Sequence, residues 1–149
     1  MENHYRRLEN MYHESPVSRF YEPKLVVSEV ASIITMPVKP EFFHAAGALH
    51  GSVYFKALDD AAFFAVNSIV DDVFVLTATF NTYLLRPVTK GLLRAEGRVT
   101  SISKNLFIAE SVLYAGEGDR QIARGSGSFM KSKILLNTVP GYQEKEIGP

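Results

Sequence analysis

The sequence has no cysteine among its 149 residues. Disulfides, thiolate metal sites and thiol nucleophiles are therefore excluded, and the composition suits a reducing compartment, so a cytoplasmic location is expected. An excess of charge of either sign is also missing. Sixteen Lys and Arg balance sixteen Asp and Glu, and the pI is near 6.9. Nucleic-acid and membrane-surface partners usually demand a basic surplus, so neither is expected. No apolar run is long enough to span a bilayer: the longest, residues 61–76, is cut by Asn67, Ser68, Asp71 and Asp72. The first residues, MENHYRRLENMYHESP, are polar and charged, unlike the apolar centre of a secretory signal. Repeats and low-complexity segments are absent. What is there is ordinary for a globular chain, 46% hydrophobic and 21% charged, enough for one core and a single domain over 1–149.

Residues 3–12 carry Tyr5, Leu8, Met11 and Tyr12 at helical spacing, which predicts a short helix ending before Ser15-Pro16. Lys24–Met36 is rich in Val, Ile and Thr and reads as one strand, stopped by Pro37 and Pro40. Ser52–Asn67 reads as the one long internal helix. Strands follow over Val73–Leu85, Gly91–Ile102, Leu106–Tyr114 and Gln121–Lys131, with turns at Ser103-Lys104-Asn105 and Gly116–Asp119. Residues 137–149 read as a polar tail. The four later strands should form an antiparallel meander, giving an α+β layer. Because the long helix is apolar on nearly every side, the sheet should curve around it.

The chemistry concentrates in HAAGALHGSVYFKALDDAAFF, His44 to Phe64. A Gly-rich turn feeds an apolar helix that holds two adjacent acids, Asp59 and Asp60. Burying a carboxylate without a partner costs several kcal/mol or raises its pKa. The turn aims backbone N–H groups and a helix N-terminus at one place, an arrangement suited to a developing oxyanion. An acid beside an oxyanion site points to acyl chemistry. At 100° per residue Asp59 shares a face with Ser52, Phe55, Ala62, Phe63 and Val66. Asp60 lies on another face, four residues after Lys56, where an i,i+4 ion pair accounts for it. Lys56 could instead pair Asp59, three residues on.

This turn and helix, with the order of elements around them, resemble the hotdog-fold acyl-CoA thioesterases, in particular their phenylacetate-pathway-like branch. The branch signature, Asn-x-x-Gly-x-x-His-Gly-Gly with an acid nine residues after the His, falls on His44, Gly47, His50, Gly51, Ser52 and Asp59. TATFNTYLLRP (Thr77–Pro87) and IARGSGSF (Ile122–Phe129) look like the family's second and last strands. The resemblance implies a sheet wrapped around one central helix and hydrolysis of a small, aromatic or medium-chain acyl-CoA. Asp59 would be nucleophile or general base, the Gly51 N–H would polarise the thioester carbonyl, and Thr77 and His44 would sit at the attacking water. His50 is mainly a marker of the loop.

Ser52 and Phe63 would lie at the substrate, and Arg86, Lys104 and Lys131 are candidates for the coenzyme A phosphates. No metal and no cofactor are implied, since coenzyme A is part of the substrate. A homodimer or homotetramer is, with each site built across the dimer interface, Asp59 of one subunit meeting His50 and Gly51 of another. The chain departs from the pattern at His44, where the family has Asn, at Ser52, where it has a second Gly, and near Ser103-Lys104, which lacks the family's Gly. His44 with Asp59 also lies near the spacing of hotdog hydratases and dehydratases, which leaves that chemistry and non-catalytic acyl-CoA binding as alternatives. Phe55, Phe63, Phe64, Phe80 and Tyr83 are candidates for an aromatic-lined acyl pocket.

Overall fold

A computed structural model describes residues 1–116 and 118–143. Glu117 of the expected 116–119 turn and residues 144–149 of the expected tail lie outside the described residues. In chain order, helix α1 (Glu2–Glu14) and the single-turn α2 (Ser18–Tyr21) precede the hairpin β1 (Lys24–Ser28) and β2 (Ala31–Pro37). The long helix α3 (Gly51–Asn67) follows, then β3 (Val73–Leu84), β4 (Leu92–Ile102), β5 (Leu106–Ala115) and β6 (Gln121–Leu135). All six strands join one antiparallel sheet in the order β1-β2-β4-β5-β6-β3. Every strand touches α3, so the sheet curls around the helix in the expected hotdog arrangement. On the side the sheet leaves open, α1 reaches α3, its Tyr12 ring standing edge-on to Phe64 at 4.9 Å.

Small residues let helix and sheet approach closely. Ala57, Ala61, Ala62 and Ala65 of α3 are fully covered. Opposite them, a Cβ on Gly97 of β4 would stand 2.2 Å from the Ala61 carbonyl oxygen, so only glycine fits. On either side of this contact a buried serine hydroxyl donates to a helix carbonyl. Ser32 of β2 bonds Ala61 O at 2.6 Å and Ser111 of β5 bonds Leu58 O at 2.7 Å. The C-terminal end of α3 is tied to β3 by Asn67. Its side chain donates to Val70 O and Val73 O and accepts from Val75 N–H, which satisfies a buried amide completely.

Three expectations need correction. Lys24–Met36 is a hairpin rather than one strand: the chain reverses at Glu29-Val30, where Val30 takes φ +56°. A β-branched residue there carries none of the usual turn signals. Its conformation is held by distant partners, Ser68 Oγ accepting from its N–H and Val99 N–H donating to its carbonyl, both at 2.9 Å. The meander covers only β4, β5 and β6, because β3 pairs with β6 at the far edge of the sheet. Gly125 and Gly127 of β6 explain that choice, since the Phe80 ring of β3 occupies the space a side chain would need at both. Finally, the start of the expected polar tail packs against the body, with Tyr142 buried and Val139 against the core.

Candidate active site

Helix α3 places two candidate groups about 12 Å apart along its axis, Gly51 at its first residue and Asp59 eight residues later at about 1.5 Å per residue. Around Gly51 the turn is held locally. His44 O accepts from Gly47 N–H at 3.0 Å, and Gly47 takes φ +82°, which suits glycine. His44 Nδ1 accepts from Ala46 N–H at 3.1 Å. His50 caps the helix, its Nδ1 accepting from Ser52 N–H at 3.0 Å and lying 2.8 Å from Ser52 Oγ. Both imidazoles and Ser52 are exposed. The Gly51 N–H has no partner among the described residues, as expected of a first-turn donor. Gly51 lines a cavity of about 290 Å³ with His44, Tyr54, Leu84 and Arg86.

Asp59 faces a different space. Thr77 of β3 donates its hydroxyl to Asp59 Oδ1 at 2.9 Å. Burial lifts the Asp59 carboxyl from 3.8 to about 6; the Thr77 hydrogen bond opposes that rise, while the nearby Asp60 charge adds to it. Lys56 is committed elsewhere. Its Nζ lies 2.5 Å from Asp60 Oδ2, which also accepts from the Tyr12 hydroxyl at 2.6 Å. Burial raises Asp60 as well, but Lys56 and Tyr12 pull it back. Burial likewise keeps the Tyr12 hydroxyl protonated, so it remains a donor. The two adjacent acids thus have different surroundings: Asp60 is neutralised by a cation and Asp59 is held by a single hydroxyl. A carboxylate with no ion pair among the described residues, lifted toward neutrality, can accept a proton or attack a carbonyl near pH 7.

Asp59 and Thr77 open onto a largely apolar cavity of about 460 Å³, with Phe63, Phe64 and Phe74 in its walls. The structure therefore groups Asp59, Thr77 and Phe63 in one cavity and His44, Gly51 and Arg86 in the other, while His50 and Ser52, exposed on either side of Gly51 in the chain, line neither. Lys104, in the β4–β5 turn, and Lys131, on β6, are exposed and line neither. Of the aromatics expected in an acyl pocket, Phe63 and Phe64 line it. Phe80 instead fills the space above Gly125 and Gly127 and meets Phe55 edge-on at 5.6 Å, while Tyr83 is 67% exposed. Sequence reasoning passed over Tyr12, Met11 and Phe74 as cavity residues. For the first two the available signal was the apolar stripe of α1, whose partner could not be read from its spacing.

Residues 46–122 match the family model described as the Thioesterase superfamily. The chain belongs to the thioesterase superfamily. A provisionally named esterase of Saccharolobus solfataricus is 23% identical over 137 residues, 90% of this chain and 98% of that one. Among solved structures, the PaaI protein from the phenylacetic acid degradation operon of E. coli superposes with a TM-score of 0.81 at 17% identity, covering 90% of this chain and 96% of the other. A thioesterase family protein from Silicibacter pomeroyi gives 0.79 at 21% identity, covering 89% and 98%. At these identities the structures establish the fold. The superfamily match takes in Gly51, Asp59, Thr77 and Arg86, but not His44 of the smaller cavity, nor α1 and the segment after β6, which line the larger one.

Proposed function

We propose that the protein hydrolyses the thioester of an acyl-CoA, with Asp59 as the acid that acts on the carbonyl carbon, directly or through a water. The observation that carries this reading is the Asp59–Thr77 pair in the lining of an apolar cavity, beside a neighbouring acid that takes Lys56. The Thr77 hydroxyl holds Oδ1, which leaves Oδ2 to face the reacting atoms. Attack on the carbonyl places negative charge on its oxygen, and a free helix-start N–H such as that of Gly51 stabilises it by about 3 kcal/mol. Collapse of the tetrahedral species expels the coenzyme A thiolate, which takes up a proton. After direct attack, water then cleaves the acyl–Asp59 anhydride to release the acid, whereas an attacking water that has given its proton to Asp59 yields the acid at once. Nothing beyond protein groups and water is required.

Since Gly51 and Asp59 of one chain are too far apart to share a carbonyl, the reading requires a second copy. β3 is a twelve-residue edge strand with exposed Leu76, Tyr83 and Leu84, and an edge of this kind invites pairing with a symmetry mate. Antiparallel pairing centred near Phe80 and Asn81 would set Thr77 of one strand opposite Leu84 of the other. Thr77 touches Asp59 and Leu84 lies against Gly51, so one copy's acid would meet the other's donor. Arg86, beside Gly51, would then lie on the coenzyme A side.

Thiol release from acetyl-, hexanoyl-, lauroyl-, phenylacetyl- and benzoyl-CoA tests the reading. Release by wild type that falls by a factor of about 10³ or more in Asp59→Asn, and much less in Asp60→Asn, is expected. No release from any ester would overturn it. Hydration of crotonyl-CoA abolished in His44→Ala would establish the hydratase alternative.

A further inference from the structure

The larger cavity is finished by the two ends of the chain. Its wall includes Met11 and Tyr12 of α1, the Pro16-Val17 turn, and Val139-Pro140 from beyond β6. These stretches are more than a hundred residues apart, yet they are fastened together. The His4 Nε2 lies 2.8 Å from the carbonyl oxygen of Asn67, which can only accept, so this nitrogen carries the hydrogen. His4 Nδ1 is then an acceptor, and the Tyr142 hydroxyl donates to it at 2.7 Å. Arg7 donates from Nε to Tyr142 O at 2.6 Å and lays its guanidinium over the Tyr142 ring at 4.4 Å. Gly141, at φ +88°, brings the backbone so close to α1 that a Cβ there would stand 2.7 Å from Met11 Cα. Burial holds His4 below its ordinary 6.5, against the upward pull of Asn67 O and Asp71 and with the Arg7 and Met1 charges. The neutral ring that the bond needs is thereby favoured.

We infer that this fastened pair of chain ends is the wall that limits the acyl group, with Met11, Val139 and Pro140 in contact with its far end and His4 and Tyr142 as positioning residues. The inference rests on the thioesterase reading. A thioester whose carbonyl is at Asp59, with its coenzyme A on the Gly51 side of the other copy, has this cavity left for the acyl chain. The lining favours an uncharged, apolar acyl group. A second carboxylate, as in a dicarboxylic monothioester, would enter a largely apolar lining beside the Asp59 carboxyl, with Lys56 already committed to Asp60. A volume of about 460 Å³ lies within the range of pockets that enclose small ligands, about 300–1,000 Å³.

The test measures kcat and KM over acetyl-, butyryl-, hexanoyl-, octanoyl-, lauroyl- and succinyl-CoA for wild type, Val139→Phe, Val139→Ala and Tyr142→Phe. Val139→Phe narrows the cavity, and kcat/KM for the longest good substrate should fall about tenfold relative to the shortest, chiefly through KM. Val139→Ala should move the preference toward longer chains. Tyr142→Phe keeps the ring over Arg7 and loses only the hydroxyl; it should broaden the chain-length profile by severalfold while kcat on the shortest good substrate holds. Succinyl-CoA should be the poorest ester for its length. Should Val139→Phe not fold, the alanine and phenylalanine variants at 139 and 142 carry the test alone. An unchanged length profile in every folded variant, with wild type active, overturns the wall and leaves the thioesterase standing. Inactivity of wild type on all six esters overturns the wall, and inactivity on phenylacetyl- and benzoyl-CoA as well overturns the thioesterase reading with it.

Discussion

Asp59 and Asp60 are adjacent in sequence and alike in chemistry, and what separates them is helical geometry. The i,i+4 rule assigns Lys56 to Asp60, and the ion pair is found there. Asp59, 100° away, is left to Thr77. That much was legible from spacing, whereas the Thr77 bond crosses from helix to sheet and needed the fold. A carboxyl lifted to about 6 predicts that kcat/KM rises through about pH 6 and then levels. Thr77→Val removes a hydrogen bond that favours the carboxylate, so the rising limb should move to higher pH while the plateau falls severalfold; an unmoved limb would deny the bond its role. Stability carries the opposite sign. With the folded pKa above the ordinary 3.8, the native state holds the proton more tightly. The stabilisation is complete below about pH 4 and is lost as pH rises through 6. Asp59→Asn should therefore raise the melting temperature at pH 7.5, by the equivalent of about 1–2 kcal/mol, and by much less near pH 4. Calorimetry at both pH values distinguishes a functional charge from a structural one, whose loss would destabilise at pH 7.5.

Among the elements, α3 was the easiest to read, since its bounds follow from the Gly-rich turn before it and its unbroken apolar run. The glycines of IARGSGSF were noticed as a pattern, but their reason lies across the sheet, where the Phe80 ring fills the space they leave. The Val30 turn and the placement of β3 beside β6 were not legible. Both depend on partners far away in sequence, Ser68 and Val99 for the turn and β6 for the strand. Gly97 shows how tightly these elements are joined. Gly97→Ala would push a methyl group into the Ala61 carbonyl, and neither helix backbone nor sheet can yield as a side chain could. The expected cost is about 3 kcal/mol or more, read as a lowered denaturation midpoint. Ser111→Ala, which loses one hydroxyl bond at the same helix–sheet contact, should cost only about 1 kcal/mol.

At the scale of the whole molecule, the candidate groups lie in two cavities, and the proposed hydrolysis calls for a second copy of the chain to join them. Gly51 offers an unusually clean probe. It is the first residue of α3, where proline is tolerated and the lost N–H breaks no helical bond. The preceding His50, at φ −67° and ψ 143°, already has the extended conformation that a following proline requires. The nearest atom to an added Cβ is a movable one, Leu84 Cδ1 at 3.1 Å. Gly51→Pro should therefore fold normally and lose about 10²–10³ in kcat. Asp59→Asn should be inactive for a different reason. If each site joins Gly51 of one copy to Asp59 of the other, a mixed dimer of the two variants contains one site with both native groups and one with neither. Half of a re-equilibrated mixture is mixed dimer, so thiol release should recover to about one quarter of the wild-type rate. A site confined to one chain cannot recover at all, because every chain in the mixture lacks one of the two groups.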